Sequence, residues 1–383
     1  MIYLLFFALI FLLATSAVLI RNLFEFKSLR EVEPIADSNA PFVSICIPAR
    51  NEEAVIERCV TSALKQDYTP FEVLVLDDNS TDRTTEILEE LSGIITNLKH
   101  LKGKPKPEDW LGKPWACHQL SQEAGGQFLV FIDADVWLEP DVLAKTVSRL
   151  QHKDAITVWP QQQLKSFWEN MVIPMFNYAL YTLLPAIYVE RPPRWMPSFL
   201  KPKLSDKFIA GCGQFLAFRR STYNEIGGHE SVKSEVVEDM EIARRIKTAG
   251  YLFQLLDGVG TVHCRMYTSH AEVWNGFKKN FLAGFTNVFE FVMMGILHII
   301  VFLIPVYALV NGFIEKDWLV AILSASVLLI IITQRIILSR VLKYNLLYSF
   351  LHPISVLWFQ VLGVVSIVNK IFGIKSSWKG REV

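Results

Sequence analysis

Asp133 and Asp135 stand two residues apart at the end of an uninterrupted apolar run, Phe128-Leu129-Val130-Phe131-Ile132. Five apolar residues in a row read as a strand buried on both faces. Carboxylates seldom sit fully buried without a partner, and hard divalent cations take oxygens from one or two carboxylates plus substrate phosphates. The pair therefore has the chemistry of a metal–diphosphate site, set against the plain alternative of a strand ending in an acidic turn. A second acidic turn, Asp77-Asp78-Asn79-Ser80-Thr81-Asp82, follows the apolar stretch 71–76. Between the two lies 102–116, with three prolines, two glycines and four lysines. Such lysines can neutralise a diphosphate or merely face solvent. Lys113, bracketed by Gly112 and Pro114, is the one best placed for phosphate. Further on, Glu238-Asp239-Met240-Glu241 opens a helical stretch carrying Arg244 and Arg245. The helix dipole alone favours acids in a first turn, so this pattern is open to both readings.

The elements that must position these groups alternate. Residues 43–48 read as a strand, 49–53 as a turn and 54–65 as a helix. A strand over 71–76 precedes a helix over 83–91, which the acidic turn can cap. A helix over 115–124 leads to the strand 128–133. Strands alternating with helices predict a parallel, doubly wound α/β sheet. Both acidic turns then fall on its carboxyl edge, where ligands collect. Gly211-Cys212-Gly213-Gln214 precedes a short strand, 215–218, and Gly227-Gly228-His229 makes a turn. Glycines at these places would let backbone approach a ligand closely, or simply turn the chain.

The 383 residues are 51% hydrophobic and 20% charged, with 38 Lys and Arg against 38 Asp and Glu. No cationic excess exists to hold nucleic-acid backbones. Cys46, Cys59, Cys117, Cys212 and Cys264 are scattered, without a Cys-x-x-Cys pair. They fit reduced core thiols in a cytoplasmic domain better than disulfides or a zinc site. Residues 2–20 are almost wholly apolar and end at Arg21, with Lys27 and Arg30 close behind. This reads as a retained anchor over 1–21 rather than a signal peptide, with the following polar linker, 31–40, on the cytoplasmic side. The stretch 171–189 contains Pro174 and Pro185 and is followed by Arg191, Arg194 and Trp195. It reads as a membrane-interfacial segment, 171–195. Residues 291–313, 318–333 and 346–368 are candidate spans. Arg335, Arg340 and Lys343 between the last two read as cytoplasmic residues. If all three cross, Lys370, Lys375, Lys379 and Arg381 end outside, against the positive-inside rule; His352-Pro353 is then the place for a re-entrant turn. Two or three spans within 290–370 follow.

Ile47-Pro48-Ala49-Arg50-Asn51-Glu52, Asp77-Asp78-Asn79-Ser80-Thr81-Asp82, Asp133-Ala134-Asp135 and Glu238-Asp239 occur in the order and spacing of family-2 glycosyltransferases. The resemblance covers about residues 41–285. It implies a GT-A domain, a Rossmann-like nucleotide-sugar-binding fold with a mostly parallel sheet, between N-terminal and C-terminal transmembrane helices. Gly112-Lys113-Pro114-Trp115-Ala116, Gly211-Cys212-Gly213-Gln214, Gly227-Gly228-His229 and Arg265-Met266-Tyr267 with Trp274 look most like the membrane-bound branch that glycosylates carotenoids and hopanoid-type lipids. The chain lacks the Gln-x-x-Arg-Trp motif of processive polysaccharide synthases.

Carried over residue by residue, the resemblance assigns Pro48, Ala49, Arg50, Asn51, Glu52 and Asp78 to the nucleotide pocket, with Asp78 on a uracil. Asp133 would face the ribose or a metal, and Asp135 would coordinate Mg2+ or Mn2+. His263 is a further metal candidate, against the reading of a satisfied core histidine. Asp239, beside Glu238, resembles the catalytic base. A diphosphate leaving group needs its developing charge stabilised, which a cation and Lys113 can do, and an acceptor hydroxyl needs a carboxylate to take its proton. The implied activity is inverting transfer of one sugar from a nucleotide-sugar, UDP-linked first, to the hydroxyl of a membrane lipid such as a carotenoid. A polyprenyl-phosphate or ceramide-type acceptor is the alternative, and a silent membrane scaffold of the same fold is the alternative from another class. The expected partners are donor, lipid and membrane, in a multi-pass protein whose catalytic domain is cytoplasmic.

Overall fold

Val43–Ala49 (β1) is a strand sealed on both faces: Val43, Ile45 and Ile47 enter one core, and Cys46, opposite by alternation, is buried too. It lies near the middle of an eight-stranded sheet in a computed structural model, which describes residues 1–35, 40–191, 196–197, 199–200, 208–282, 287–374, 377–378 and 381–382. The chain divides into two compact units. An α/β unit comprises Glu25–Gln163 and Ala186–Met266, and a helical unit comprises Met1–Phe24, Leu164–Pro185 and Tyr267–Val383.

In the α/β unit the other strands are Phe71–Asp77 (β2), Leu98–Lys102 (β3), Phe128–Ile132 (β4), Val136–Leu138 (β5), Ala155–Gln162 (β6), Phe215–Arg219 (β7) and Phe253–Cys264 (β8), in the order β3-β2-β1-β4-β7-β6-β8-β5. The helix Ile56–Leu64 buries Ile56, Cys59, Val60 and Ala63, the i, i+3, i+4, i+7 stripe of a helix that covers a sheet. After β3 the chain returns past β1 to β4, so strand order reverses between β1 and β4. That reversal opens a crevice at their carboxyl ends. Ala49, Asp77 and Ile132 end the strands there, and Asp133 and Asp135 follow.

The sheet is mixed, not uniformly parallel. Strands β1, β2, β3 and β4 run parallel, as do β6 and β8, whereas β7 is antiparallel to both β4 and β6 and β5 is antiparallel to β8. The antiparallel entry of β7 matters for the site. Its register pairs Ile132 with Phe215, so the Gly211–Gln214 loop before β7 lands beside Asp133 after β4. The described start of the expected linker is held to the core: Val32 joins it, with Leu29 just ahead, and the Ile35 N–H donates to Ala144 O.

In the helical unit, Ile2–Glu25, Val288–Ile314, Trp318–Val341 and Leu346–Ile371 are each long and apolar enough to cross a membrane. All run past the expected ends. Arg21 lies inside the first helix, and Trp318–Val341 continues eight residues beyond Thr333. Gln334 is absorbed rather than exposed: its Nε2 donates to Ser16 Oγ at 2.8 Å and Thr15 Oγ1 at 3.3 Å, and its Oε1 accepts from Tyr178. His352-Pro353 makes no break. Proline falls in the first turn of His352–Ile371, where its missing N–H has no intrahelical partner to lose. The expected interfacial stretch becomes Phe167–Val172, opened by a Ser166/Glu169 capping box, and Pro174–Leu183, with Pro174 in its first turn. Ile187–Glu190 belongs instead to the α/β unit. Arg194, Trp195, Lys375 and Lys379, and the expected domain end at 285, lie outside the described residues.

Candidate active site

Lys113 gathers the acidic motifs. The helix that carries it begins at Gly112, not at Trp115, so Lys113 is a first-turn residue rather than part of a loop. Pro114 is what permits the early start, because proline is well accommodated in a first helical turn. The Lys113 ammonium lies 2.7 Å from Asp133 Oδ1 and 3.2 Å from Glu238 Oε1, and donates to Gly213 O at 3.3 Å. Burial alone would lower its pKa, but the Asp133 and Glu238 carboxylates hold it well above the usual lysine value. It is a cation held by two anions.

Asp239 sits on the other side of Gly213. Its Oδ2 accepts from the Gly213 N–H and its Oδ1 from the Met240 N–H, both at 2.8 Å. These hydrogen bonds and Lys113 favour the carboxylate. Burial and the neighbouring Glu238 charge outweigh them and raise its pKa to about 6. A carboxyl that titrates near neutrality beside a lysine is what proton transfer near pH 7 requires.

Both glycines of the 211–214 loop lie close against this cluster, Gly211 against backbone and Gly213 against a side-chain tip. A Cβ on Gly213 would lie 2.8 Å from Lys113 Nζ, and one on Gly211 would lie 2.3 Å from Asp239 O. Gly228 is different. A Cβ there would meet the Tyr223 ring at 2.5 Å, and His229 bonds the Tyr223 hydroxyl at 2.7 Å and packs against Phe131. Burial, with Lys113 adding, drives His229 down to about 3, so its ring is neutral. That turn braces β4 from behind and brings no ligand group forward.

The motifs at the ends of β1 and β2 are stapled together. Arg50 Nη1 donates to Asp78 O at 2.5 Å and Asn79 O at 2.8 Å. The Asn51 N–H reaches Ser80 Oγ, Asn51 Oδ1 accepts from Thr81 N–H, and the Glu52 N–H reaches Thr84 Oγ1. Asn51 and Asn79 adopt left-handed φ of 52° and 56°, a region asparagine tolerates better than most residues. Asp78 is buried, with its N–H on Ala49 O. Pro48 to Glu52 and Asp78 thus form one wall of the crevice, and Lys113, Asp133, Glu238 and Asp239 form a cluster.

Asp135 is reached from β8. The pairing of Val136 with Cys264 brings that thiol to the Asp135 carboxylate, and burial followed by the Asp135 and Asp133 charges keeps it protonated. Gln214 Nε2 donates to Cys264 Sγ at 2.9 Å, and Gln162 Nε2 donates to Gln214 Oε1 at 2.8 Å. This buried polar chain was not legible from the sequence, because only the register of β6, β7 and β8 assembles it. Arg58 stacks on the Trp137 ring at 3.6 Å and adds positive charge near Asp135. His263 pairs with Trp137 across β5 and β8. Its ring stacks on that indole and contacts Glu139 Oε1 at 3.1 Å and Gln163 Nε2 at 3.3 Å. Among the described residues, no group of three or more His, Cys, Asp or Glu side chains converges as a metal cage.

Comparison with known proteins agrees with this architecture. Residues 44–227 match the family described as Glycosyl transferase family 2. A relative from Staphylococcus haemolyticus named 4,4'-diaponeurosporenoate glycosyltransferase is 24% identical over 279 residues, 72% of this chain and 68% of that one. A relative from Nostoc named beta-monoglucosyldiacylglycerol synthase is 32% identical over 143 residues, 37% of this chain and 30% of that protein. Among solved structures, a mannosyltransferase from Pyrobaculum calidifontis in complex with GDP-Man and Mn2+ superposes with a TM-score of 0.53 at 16% identity, covering 97% of this chain and 99% of the other.

Proposed function

We propose, from the premise that this chain is a glycosyltransferase with a family 2 domain of GT-A fold, that it moves one sugar from a nucleotide-sugar, UDP-linked first, to a membrane lipid, a carotenoid or other terpenoid first. The observation that carries this is the meeting of Lys113, Asp133, Glu238 and Asp239 around Gly213 at the carboxyl edge of the sheet. The acceptor oxygen forms a bond to the anomeric carbon as the bond from that carbon to the diphosphate oxygen breaks. The acceptor proton passes to Asp239, and the nucleoside diphosphate leaves with its charge met by Lys113. One displacement at one face inverts the anomeric centre. Lys113 exchanges carboxylate partners for phosphate oxygens, so donor binding loosens its hold on Glu238. Pro48 to Glu52 and Asp78 receive the nucleotide.

A divalent cation suits the residues present. Asp133 and Asp135 are hard oxygen donors at one strand end, too few for an all-protein cage and enough for an ion that takes its other ligands from a diphosphate. Bound there, Mg2+ or Mn2+ would supply charge stabilisation to the leaving group.

The lipid acceptor is supported by the four apolar helices and by relatives whose names specify a carotenoid carboxylate and a diacylglycerol. The basic flank Arg21, Lys27 and Arg30 favours a cytoplasmic catalytic domain in a multi-pass membrane protein. The decisive experiment is mass spectrometry of lipids from cells that express the wild-type chain, an Asp239→Asn variant or neither. The expected result is a glycosylated lipid present only with wild type. Sugar found only on water-soluble acceptors would overturn the reading.

The same mechanism predicts the effect of Gly211→Ala. The new Cβ would strike the backbone of Asp239, with O at 2.3 Å and C at 2.7 Å, and no side-chain rotation relieves that. The start of the helix Glu238–Thr248 must move, and displacement of a reacting group by an ångström costs on the order of 10²-fold in rate. Transfer by Gly211→Ala is expected to fall by about that factor with circular dichroism unchanged. Wild-type turnover by this variant would mean that Asp239 is not held where the chemistry occurs.

A further inference from the structure

Arg335 reads from sequence as a residue between two spans, yet it is enclosed in the helix Trp318–Val341 and is only 2% exposed, one of the largest fully buried side chains. A guanidinium keeps its charge in any protein environment, and a buried charge is costly unless it is paired. Ionisable groups within membrane helices almost always find a partner and mark functional sites. Among the described residues, no carboxylate pairs with Arg335. Its Nε has no hydrogen-bond partner, and Nη1 meets the Met175 thioether at 3.8 Å, a weak acceptor. His352, completely buried in the first turn of His352–Ile371, packs on Tyr178, whose hydroxyl donates to Gln334, the residue before Arg335. Neither ring nitrogen of His352 has a hydrogen-bond partner. Tyr178 and Phe302 flank that ring at 4.8 and 4.7 Å between centroids.

Two helices of the same unit thus hold a permanent cation and a second N–H donor, both buried and both unsatisfied. We infer that Arg335 and His352 bind the anionic head group, carboxylate or phosphate, of a membrane lipid. The planar guanidinium fork matches either oxyanion with two parallel hydrogen bonds. The enclosure selects a lipid over a free ion. The groups packed on the pair are Met175, Phe302 and the ring of Tyr178, whose hydroxyl is already given to Gln334, and they offer little to a fully hydrated anion. Both helices are long and apolar enough to cross a membrane, so a lipid is the anion carrier at hand. Met175, unbranched and adaptable, is the side chain that must swing aside to admit the head group.

The test uses the full chain purified in mild detergent and native mass spectrometry with three probes: phosphatidylglycerol, diacylglycerol (which carries no oxyanion) and inorganic phosphate. Wild type is expected to retain phosphatidylglycerol about tenfold or more better than Arg335→Gln, the scale of a lost charge-assisted hydrogen bond. Diacylglycerol should be held equally by both, and millimolar inorganic phosphate should not displace the lipid. Equal phosphatidylglycerol retention by Arg335→Gln would overturn the proposal, and efficient displacement by phosphate would overturn its lipid part. If Arg335→Gln fails to fold, His352→Ala and Arg335→Lys decide: both should weaken phosphatidylglycerol retention, and wild-type retention by both overturns the site. The readout is binding rather than transfer, so it can fail while the proposed enzymatic activity stands, and the reverse.

Discussion

Asp239→Asn is expected to lower transfer to a hydroxyl acceptor by about 10²- to 10⁴-fold, the range that a positioned base contributes, with donor affinity nearly unchanged. Asparagine keeps the shape of the side chain but cannot take a proton. It also turns one of the two oxygens that accept from Gly213 and Met240 into a donor. One backbone N–H then loses its partner, at about 1–3 kcal/mol, while a carboxylate disfavoured by burial and Glu238 is removed. These effects oppose each other, so the variant should fold. The pH profile gives an independent readout. With its pKa raised to about 6, Asp239 is an ionised base above that pH and a spent one below it. Wild-type kcat/KM should therefore fall as pH drops through about 6, and Asp239→Asn should lose that limb. Calorimetry showing donor affinity reduced in proportion to activity would make Asp239 a binding residue. The same variant tests the acceptor. A carboxylate acceptor, such as the name of the Staphylococcus haemolyticus relative specifies for that protein, is already ionised near neutrality and needs no base. A loss confined to hydroxyl acceptors would identify proton removal as the role of Asp239.

Much of the candidate cluster was legible because each part is written locally. An apolar run that stops at a carboxylate marks a buried strand and its carboxyl end together, as at Asp77 and Asp133. Glu238-Asp239 before a helical stretch marks a helix start. What could not be read is what non-local pairing builds. Nothing in Phe215–Arg219 announces that it runs antiparallel between β4 and β6, yet that direction is what delivers Gly213 to both Lys113 and Asp239. Cys264 is an unremarkable core thiol in the sequence and becomes the neighbour of Asp135 only through the register of β5 on β8. Lys113 looked like a loop residue because Gly and Pro surround it, although proline is acceptable in a first helical turn. Polarity misled in the same way at Gln334 and Arg335. They read as the end of a span, but the helix continues because Gln334 is satisfied by Ser16, Thr15 and Tyr178.

Asp135→Asn is the second large effect. It should reduce transfer by at least about 10²-fold, as expected for removing one electrostatic stabiliser from a site where charge develops, and it should raise the divalent-cation concentration needed for half-maximal activity. The Asp135 carboxylate is already held by its neighbours. The Cys264 thiol bonds to it, Arg58 places positive charge near it, and the Gln162–Gln214–Cys264 chain fixes that thiol. Such a supporting shell limits the conformations of Asp135 and keeps it an oxygen donor of defined direction. Asparagine retains one oxygen but loses the charge, and a hard cation binds an amide oxygen more weakly than a carboxylate. His263 supplies the contrast. Its ring is engaged by Glu139, Gln163 and Trp137, so His263→Ala should leave the metal titration midpoint in place even if it costs stability. In wild type, EDTA should abolish transfer and added Mg2+ or Mn2+ should restore it. Full turnover of Asp135→Asn in EDTA would remove the metal role altogether. A midpoint shifted by His263→Ala as far as by Asp135→Asn would return the histidine to the ligand set.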